Sequence, residues 1–178
     1  VSSSGYGSAI GWAANIFSAE GDSYLKAVSF YTNDTNSSYD IYIYKGVSAG
    51  SPRSGQLVAT KSGSRTYPGY YTETLNSAVL LNQDDLFSVV VKFTNSSYTY
   101  PIPIEKMING YSSAVVSNPG ESFISSSGST WTDANSYGWN VCIKAFTNNA
   151  VSVSGTVTSG GPGLVNVEMR GLPGIPLT

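Results

Sequence analysis

The chain has 178 residues, of which 9 are Lys or Arg and 11 are Asp or Glu, so its formal net charge is −2. Charged residues make up 11% of the sequence, against about 25% in an ordinary soluble protein. Nucleic acid and anionic membranes are poor candidate partners, because both attract basic surfaces. The chain contains no His, which excludes Ser-His-Asp triads, Cys-His pairs and His-ligated metals. The composition therefore argues against an enzyme.

Hydroxyl and amide groups must supply the surface polarity that charge does not. Ser, Thr and Asn are abundant and there are 13 Tyr, a composition typical of proteins outside the cell. Cys142 is the single cysteine, so no intramolecular disulfide can form, and its apolar neighbours predict a buried thiol. No apolar run approaches the roughly 18 residues that a transmembrane helix needs. We therefore expect an extracellular or cell-surface protein without a transmembrane segment.

Segments of β type recur along the chain, separated by clusters of Gly, Ser, Asn, Asp and Pro, and none has the pattern of an amphipathic helix. The predicted strands are 12–17, 24–32, 39–44, 56–61, 70–75, 86–94, 123–125 and 139–146. Many short strands divided by turn residues are typical of an antiparallel sandwich. The sequence therefore predicts an all-β fold, a jelly-roll-like β-sandwich with a C-terminal β-strand extension, whose main domain covers residues 1–147.

The strand predicted at 39–44 has a core face and an aromatic face. Ile41 and Ile43 share one face, whereas Tyr42 and Tyr44 share the other, because side chains alternate along a strand. The pattern predicts that the two Tyr side chains point away from the core.

Residues 148–150 form a predicted linker to the C-terminal extension. That extension, 151–178, is an incomplete β unit in which Val151, Val153 and Val157 share one face of a strand. Two strands without a helix cannot bury a core alone. The extension therefore needs a partner, which is the missing part of a domain, a sheet edge of the first domain, or a neighbouring molecule that accepts the strand.

Several motifs in this order resemble a known family. They are Lys26-Ala-Val-Ser-Phe-Tyr-Thr32, Tyr39-Asp-Ile-Tyr-Ile-Tyr-Lys45, Leu86-Phe-Ser-Val-Val-Val-Lys-Phe-Thr94 and Asn140-Val-Cys-Ile-Lys-Ala-Phe146. Together they resemble the lectin-like domain that follows papain-family cysteine peptidase domains in secreted microbial proteins, over about residues 10–147. The resemblance implies the sandwich fold, and it carries no glycan-binding signature to transfer residue by residue. The extension is similar to the opening strands of an immunoglobulin-like or carboxypeptidase-regulatory-like repeat.

Aromatic side chains are the candidate ligand-binding residues. Sugar-binding modules stack pyranose rings on aromatic faces and fix the sugar hydroxyls with planar polar groups. The candidates on this basis are Tyr42, Tyr44, Tyr67, Tyr70 and Trp131, whereas Trp12 is predicted to be core. The alternative role is structural, since Tyr has high β propensity and cross-strand aromatic pairs stabilise sheets by roughly 0.2–1 kcal/mol each.

Calcium is the one metal for which the chain offers ligands, because calcium binds oxygen atoms and needs no His. Asp84 and Asp85 are adjacent carboxylates and are the candidate calcium ligands. Local capping of the turn is the alternative role of the pair. No other cofactor is expected.

Two functions are compatible with these features. The first is a non-catalytic extracellular or cell-surface module that binds a glycan or a surface polymer. The alternative is a structural subunit of a filament or surface array, in which each copy adds its C-terminal strand to the next. Low charge favours the alternative, because it weakens repulsion between copies. The sequence leaves the choice between them open.

Overall fold

The computed structural model describes residues 2–150, which form strands and one short 3-10 helix at Ala134–Tyr137. The strands are β1 (Ser2–Ser4), β2 (Ile10–Ser18), β3 (Ser23–Thr32), β4 (Ser37–Lys45), β5 (Gln56–Arg65), β6 (Gly69–Leu81), β7 (Leu86–Thr94), β8 (Ile102–Lys106), β9 (Ser122–Ser125), β10 (Thr132–Asp133), β11 (Trp139–Val141) and β12 (Ile143–Asn149). The predicted all-β class is confirmed.

The strands form three antiparallel sheets. A six-stranded sheet has the order β10-β9-β2-β7-β4-β5, and a three-stranded sheet has the order β12-β3-β6. These two sheets pack face to face, and Phe30 of the smaller sheet contacts Tyr39 and Phe93 of the larger one, with ring centroids 4.8 and 5.8 Å apart. A third sheet, β1-β8-β11, contributes Ile102 and Ile104 to the same core. The arrangement is the predicted β-sandwich.

The inner face of the six-stranded sheet is apolar, as the alternation in β4 predicts. Ile41 and Ile43 are fully buried, and burying such a side chain contributes roughly 1.5–3 kcal/mol.

Cys142 is also buried, and this burial, followed by the negative charge of Glu105, raises the pKa of its thiol to about 12. The predicted buried thiol is confirmed.

The sequence prediction misses three short strands, β1, β8 and β10. β8 contains Pro103, and proline in a strand usually marks an edge because it has no amide to donate. Here β8 lies between β1 and β11, and the Pro103 carbonyl accepts a 3.2 Å bond from the Cys142 amide. The pairing on each side of β8 spans only three residues, so it tolerates the missing donor.

The strand predicted at 139–146 is two strands in the structure. β11 pairs with β8, and β12 pairs with β3, so the chain changes sheets at Cys142. β12 continues through Asn148 and Asn149, which pair with β3. These two residues therefore belong to a strand, and the prediction that they form a linker is wrong.

A buried carboxylate joins the two main sheets where β5 faces β6. The side chain of Glu73, on β6, is 7% exposed and contacts the Arg65 guanidinium, while the Lys61 ammonium lies 3.3 Å away. Burial and a hydrogen bond to Glu73 raise the pKa of Tyr39 to about 12. The side chain of Tyr39 occupies the space over Gly63, where a Cβ atom would collide with it. Ion pairs thus replace apolar contacts at this edge.

The C-terminal extension, with the predicted assembly residues Val151, Val153 and Val157, lies outside the described residues. Its separation from the main domain stays a prediction. No helix within residues 2–150 has the length and apolar character needed to span a membrane.

Candidate functional site

The six-stranded sheet has one face that points away from the β12-β3-β6 sheet, and this face carries a cluster of aromatic residues. We call this face the outer face. Strand register sets its layout, because residues directly opposite each other on neighbouring strands share a face. Trp12 lies opposite Lys92, Lys92 lies opposite Asp40, and Asp40 lies opposite Ser62. These four side chains therefore form one row across β2, β7, β4 and β5.

The neighbouring row brings a second ring beside Trp12. It consists of Ala14, Val90, Tyr42 and Thr60. Ala14 and Val90 are small and fully buried, so the larger Trp12 and Tyr42 rings stand above them and meet diagonally. Their centroids are 5.8 Å apart with an interplanar angle of 24°. Both residues stay partly exposed, and the pair forms a stacked aromatic surface.

Arg53 crosses this surface from the loop between β4 and β5. Its Nε donates to the Tyr44 hydroxyl at 2.8 Å and its Nη1 donates to the Gly128 carbonyl at 2.6 Å. The guanidinium carbon lies 5.6 Å from the Trp12 ring centroid, 6.0 Å from that of Tyr42 and 5.6 Å from that of Tyr44. Such distances are typical of cation–π contacts. Although Arg53 is an exposed residue, two hydrogen bonds and three aromatic rings thus hold its guanidinium in place.

Polar groups occupy the rest of the row that contains Trp12. Ser62 donates a 2.6 Å hydrogen bond to the Asp40 carboxylate, and the Lys92 ammonium lies 3.7 Å from the other carboxylate oxygen. The Lys92 ammonium is also 5.8 Å from the Trp12 ring centroid. The Lys92 and Asp40 side chains are about one third exposed. Trp12, Asp40, Tyr42, Arg53, Ser62 and Lys92 are together called the outer-face site.

Burial, and then the nearby Asp40 carboxylate, raises the pKa of the Tyr42 phenol. The phenol therefore stays protonated at neutral pH and can donate a hydrogen bond to a ligand. The site offers ring faces, one acceptor carboxylate, hydroxyls and two cationic donors. This is the set of groups that can hold a polyhydroxylated ring.

The structure brings together three of the five aromatic residues predicted from the sequence. Tyr42 lies in the outer-face site. Tyr44 lies beneath Arg53 and is 6% exposed, so it positions Arg53 and has no free ring face to offer a ligand. Trp131 packs partly buried against the same cluster, and its indole N–H is buried without a hydrogen-bond partner among residues 2–150.

The other two predicted residues lie elsewhere. Tyr70 pairs with Tyr31 across β3 and β6, with ring centroids 4.8 Å apart, and Tyr67 is 71% exposed in the turn between β5 and β6. Neither contacts the outer-face site in the described part of the chain. The Tyr31–Tyr70 pair belongs to the β12-β3-β6 sheet.

Sequence reasoning misses most of the outer-face site. Trp12 lies on the outer face and not in the core, and the sequence does not single out Arg53, Lys92 or Asp40. The available signal is the same alternation that places Tyr42 outward, since Asp40 precedes it by two residues and Lys92 falls opposite the apolar face of β7. Only the register, however, brings these residues next to Trp12.

A cleft of about 410 Å³ lies elsewhere, between β2, β9 and the β11–β12 segment. The amide of Asn15 lines it, but its nitrogen donates to the Ile143 carbonyl at 3.0 Å and its oxygen accepts from Ser122 at 2.8 Å. The first bond joins β2 of the six-stranded sheet to β12 of the other main sheet, and the second lies within the six-stranded sheet. The amide of Asn15 and the hydroxyl of Ser122 are therefore engaged within the fold.

The predicted calcium ligands lie in the turn before β7. Asp85 forms a 2.9 Å ion pair with Lys45, and hydrogen bonds from Asn82, followed by this ion pair, lower the pKa of its carboxyl. Asp84 has φ of 65°, a left-handed conformation that Asp adopts readily in turns. No three acidic or Cys side chains of residues 2–150 are grouped to hold a metal ion. A calcium role for Asp84 and Asp85 stays a prediction.

Fold and site together define a β-sandwich domain with an aromatic surface site. Residues 1–147 match the lectin-like domain family, and the chain belongs to that family. The resemblance found in the sequence motifs is confirmed. None of the curated proteins gives a significant match.

Two solved structures are similar to this chain. One contains the cysteine protease and lectin-like domains of Cwp84, a surface layer associated protein of Clostridium difficile, with 26% identity, a TM-score of 0.57 and coverage of 79% of this chain and 32% of that one. The other is the clostridial cysteine protease Cwp84 after propeptide cleavage, with 26% identity, a TM-score of 0.59 and coverage of 80% and 37%. The chain thus spans about a third of these structures, and it matches their lectin-like domain and not their protease domain.

Proposed function

We propose that the chain is a non-catalytic carbohydrate-binding module that acts outside the cell or at the cell surface. It holds a glycan or a surface polymer on the outer-face site. The relation to the lectin-like domain of a surface-layer associated protein supports both the ligand class and the location. The absence of His from the sequence supports a role in binding over catalysis.

The observation that carries the proposal is the stacked pair of Trp12 and Tyr42 beside a row of polar side chains. The apolar face of a pyranose ring packs well on an aromatic ring, and its equatorial hydroxyls then reach sideways toward planar polar groups. Asp40 is placed to accept from such hydroxyls, and its bond from Ser62 holds it in orientation. The rings thus supply contact area, and the polar row supplies orientation.

Replacing Trp12 by Ala is expected to weaken saccharide binding by at least about tenfold, because central aromatic residues of an interface contribute most of its affinity. Binding is first located on a glycan array and then measured by titration calorimetry with the saccharide that binds best. Thermal unfolding of each variant checks that the fold is retained.

Tyr67→Ala is the matched control, since Tyr67 is an exposed aromatic residue away from the outer-face site. It should leave the affinity unchanged. Loss of binding in Tyr67→Ala with retention in Trp12→Ala would contradict the assignment to the outer face. Absence of saturable binding to any saccharide would contradict the function itself.

We also propose the alternative function, assembly by strand addition, because β12 lies at an edge of its sheet within residues 2–150. An edge strand presents unpaired amide and carbonyl groups that can accept a further strand. Two clefts of about 410 and 210 Å³ flank β12, and Phe17 and Ser18 line both. This edge has room beside it for an added segment such as 151–158 of a second copy.

A chain truncated after Ala150 is expected to stay monomeric where the full chain forms oligomers that grow with concentration. Light scattering and negative-stain electron microscopy at matched concentrations measure the difference. Val153→Asp should act like the truncation, whereas Ser152→Asp, on the opposite face of the predicted strand, should not. Equal assembly of the full and truncated chains would contradict strand addition.

A further inference from the structure

The outer-face site is locally cationic although the chain as a whole is acidic. Two cations, Arg53 and Lys92, flank the Trp12 ring at 5.6 and 5.8 Å from its centroid. One carboxylate, Asp40, stands in the same row. The formal net charge of the chain is −2, but charges beyond a Debye length of about 8 Å are largely screened at physiological salt. A bound ligand therefore responds mainly to the local excess of positive charge.

Asp40 does not neutralise both cations. Its distance to the Lys92 ammonium is 3.7 Å, which is too long for a strong hydrogen bond. Its other oxygen accepts from Ser62, and none of the hydrogen bonds of residues 2–150 joins Asp40 to Arg53. Two cations thus contact one indole ring, and a single carboxylate at 3.7 Å from one of them is their counter-charge in the site.

Both cations also keep donors for a ligand. Arg53 uses Nε and one Nη1 hydrogen within the fold, and a guanidinium has five N–H groups in all. Lys92 has three donors, and within residues 2–150 its ammonium makes only the long contact with Asp40 and the contact with the Trp12 ring. Because Arg53 is already held by two hydrogen bonds and three rings, binding an anion through it requires little further ordering.

We propose that the ligand of the outer-face site is an acidic saccharide, whose carboxylate or phosphate group binds Arg53 and Lys92 while its ring stacks on Trp12. The inference rests on the proposed function and names the class of glycan. A planar guanidinium matches the two oxygens of a carboxylate or phosphate, and charge-assisted hydrogen bonds of this type are the strong ones.

The test uses saccharides in matched acidic and neutral pairs with the full chain. Trigalacturonate is compared with its methyl ester, sialyllactose with lactose, and phosphorylated dextran with dextran, each by titration calorimetry at low and high salt. In at least one pair we expect the acidic member to bind at least about tenfold more tightly, with the preference shrinking as salt rises. The pair with the larger preference assigns carboxylate or phosphate as the group recognised.

Lys92→Gln should remove most of that preference, because the affinity for the acidic member falls several-fold more than the affinity for the neutral member. Lys26→Gln is the matched control, because Lys26 also lies over an aromatic ring, 5.4 Å from that of Tyr24, but on β3 in the other sheet. It should change neither value.

Equal affinity for the acidic and neutral members, lost together in Trp12→Ala, would overturn the inference and leave the carbohydrate-binding function standing. A preference for the acidic saccharide that persists in Lys92→Gln and at high salt would also overturn the inference. Failure of every saccharide to bind would overturn the proposed function, and the inference with it.

Discussion

Replacing Glu73 by Gln is expected to lower the free energy of unfolding by about 3 kcal/mol, the lower end of the range for breaking a buried ion pair. The substitution leaves Arg65 and Lys61 without a counter-charge between the two main sheets. The loss stays near the lower end because 34% of the Arg65 side chain and 23% of the Lys61 side chain reach water. Urea unfolding of the variant and the parent chain measures the difference.

Lys92→Gln is the contrasting variant for this experiment. It removes a 3.7 Å pair whose side chains are about one third exposed, and such pairs contribute roughly 0–1 kcal/mol. Combining Glu73→Leu with Arg65→Met should recover part of the loss, because apolar residues of similar volume can replace a buried ion pair. A loss in Glu73→Gln as small as that in Lys92→Gln would mean that the network at this edge contributes little to stability.

This network explains why the sequence prediction ends β5 too early. Its inner face consists of Ala59, Lys61, Gly63 and Arg65, which face β4 residues in register. Such a face is typical of a solvent-exposed strand, and the sequence prediction ends the strand at 61 instead of Arg65. The sequence does not show that Glu73 of β6 is buried opposite this strand. Because its carboxylate pairs with the cations of β5, the charged face of β5 can pack inward.

Alternation within one strand is enough to predict which face each β4 side chain takes. Ile41 and Ile43 are core, and Tyr42 and Tyr44 lie on the opposite face. Alternation cannot show what covers a face, and here the β4–β5 loop brings Arg53 over Tyr44 and buries it. Tyr42 stays partly exposed because it lies one row further than Tyr44 from the β4–β5 loop.

Trp12 illustrates what single-strand patterns leave out. It is followed by Ala13 and Ala14, which are both fully buried on opposite faces of β2, so no contrast of polarity marks the outward side. Its neighbour Tyr42 is on β4, and the two strands are joined only through β7. The register of three strands therefore creates the site, and register depends on pairing between distant segments.

Gly128→Ala is expected to destabilise the protein by about 2–5 kcal/mol, from left-handed strain and overpacking together. Gly128 has φ of 74°, and a Cβ atom there would lie 2.7 Å from Trp12 Cδ2 and 2.8 Å from Cε2. The indole must move, and with it the surface that Arg53 shares with Tyr42. We therefore expect saccharide affinity to fall by at least about tenfold as well.

Gly138→Ala separates the two causes. Gly138 has a similar φ of 67°, but a Cβ atom there would meet nothing within 4 Å, so only the strain of roughly 1–2 kcal/mol applies. The Gly138→Ala variant should keep full saccharide affinity, since its added Cβ atom would touch neither Trp12 nor Arg53. Equal losses of stability and affinity in both variants would show that backbone strain alone acts, and that the Trp12 ring does not depend on Gly128 for its position.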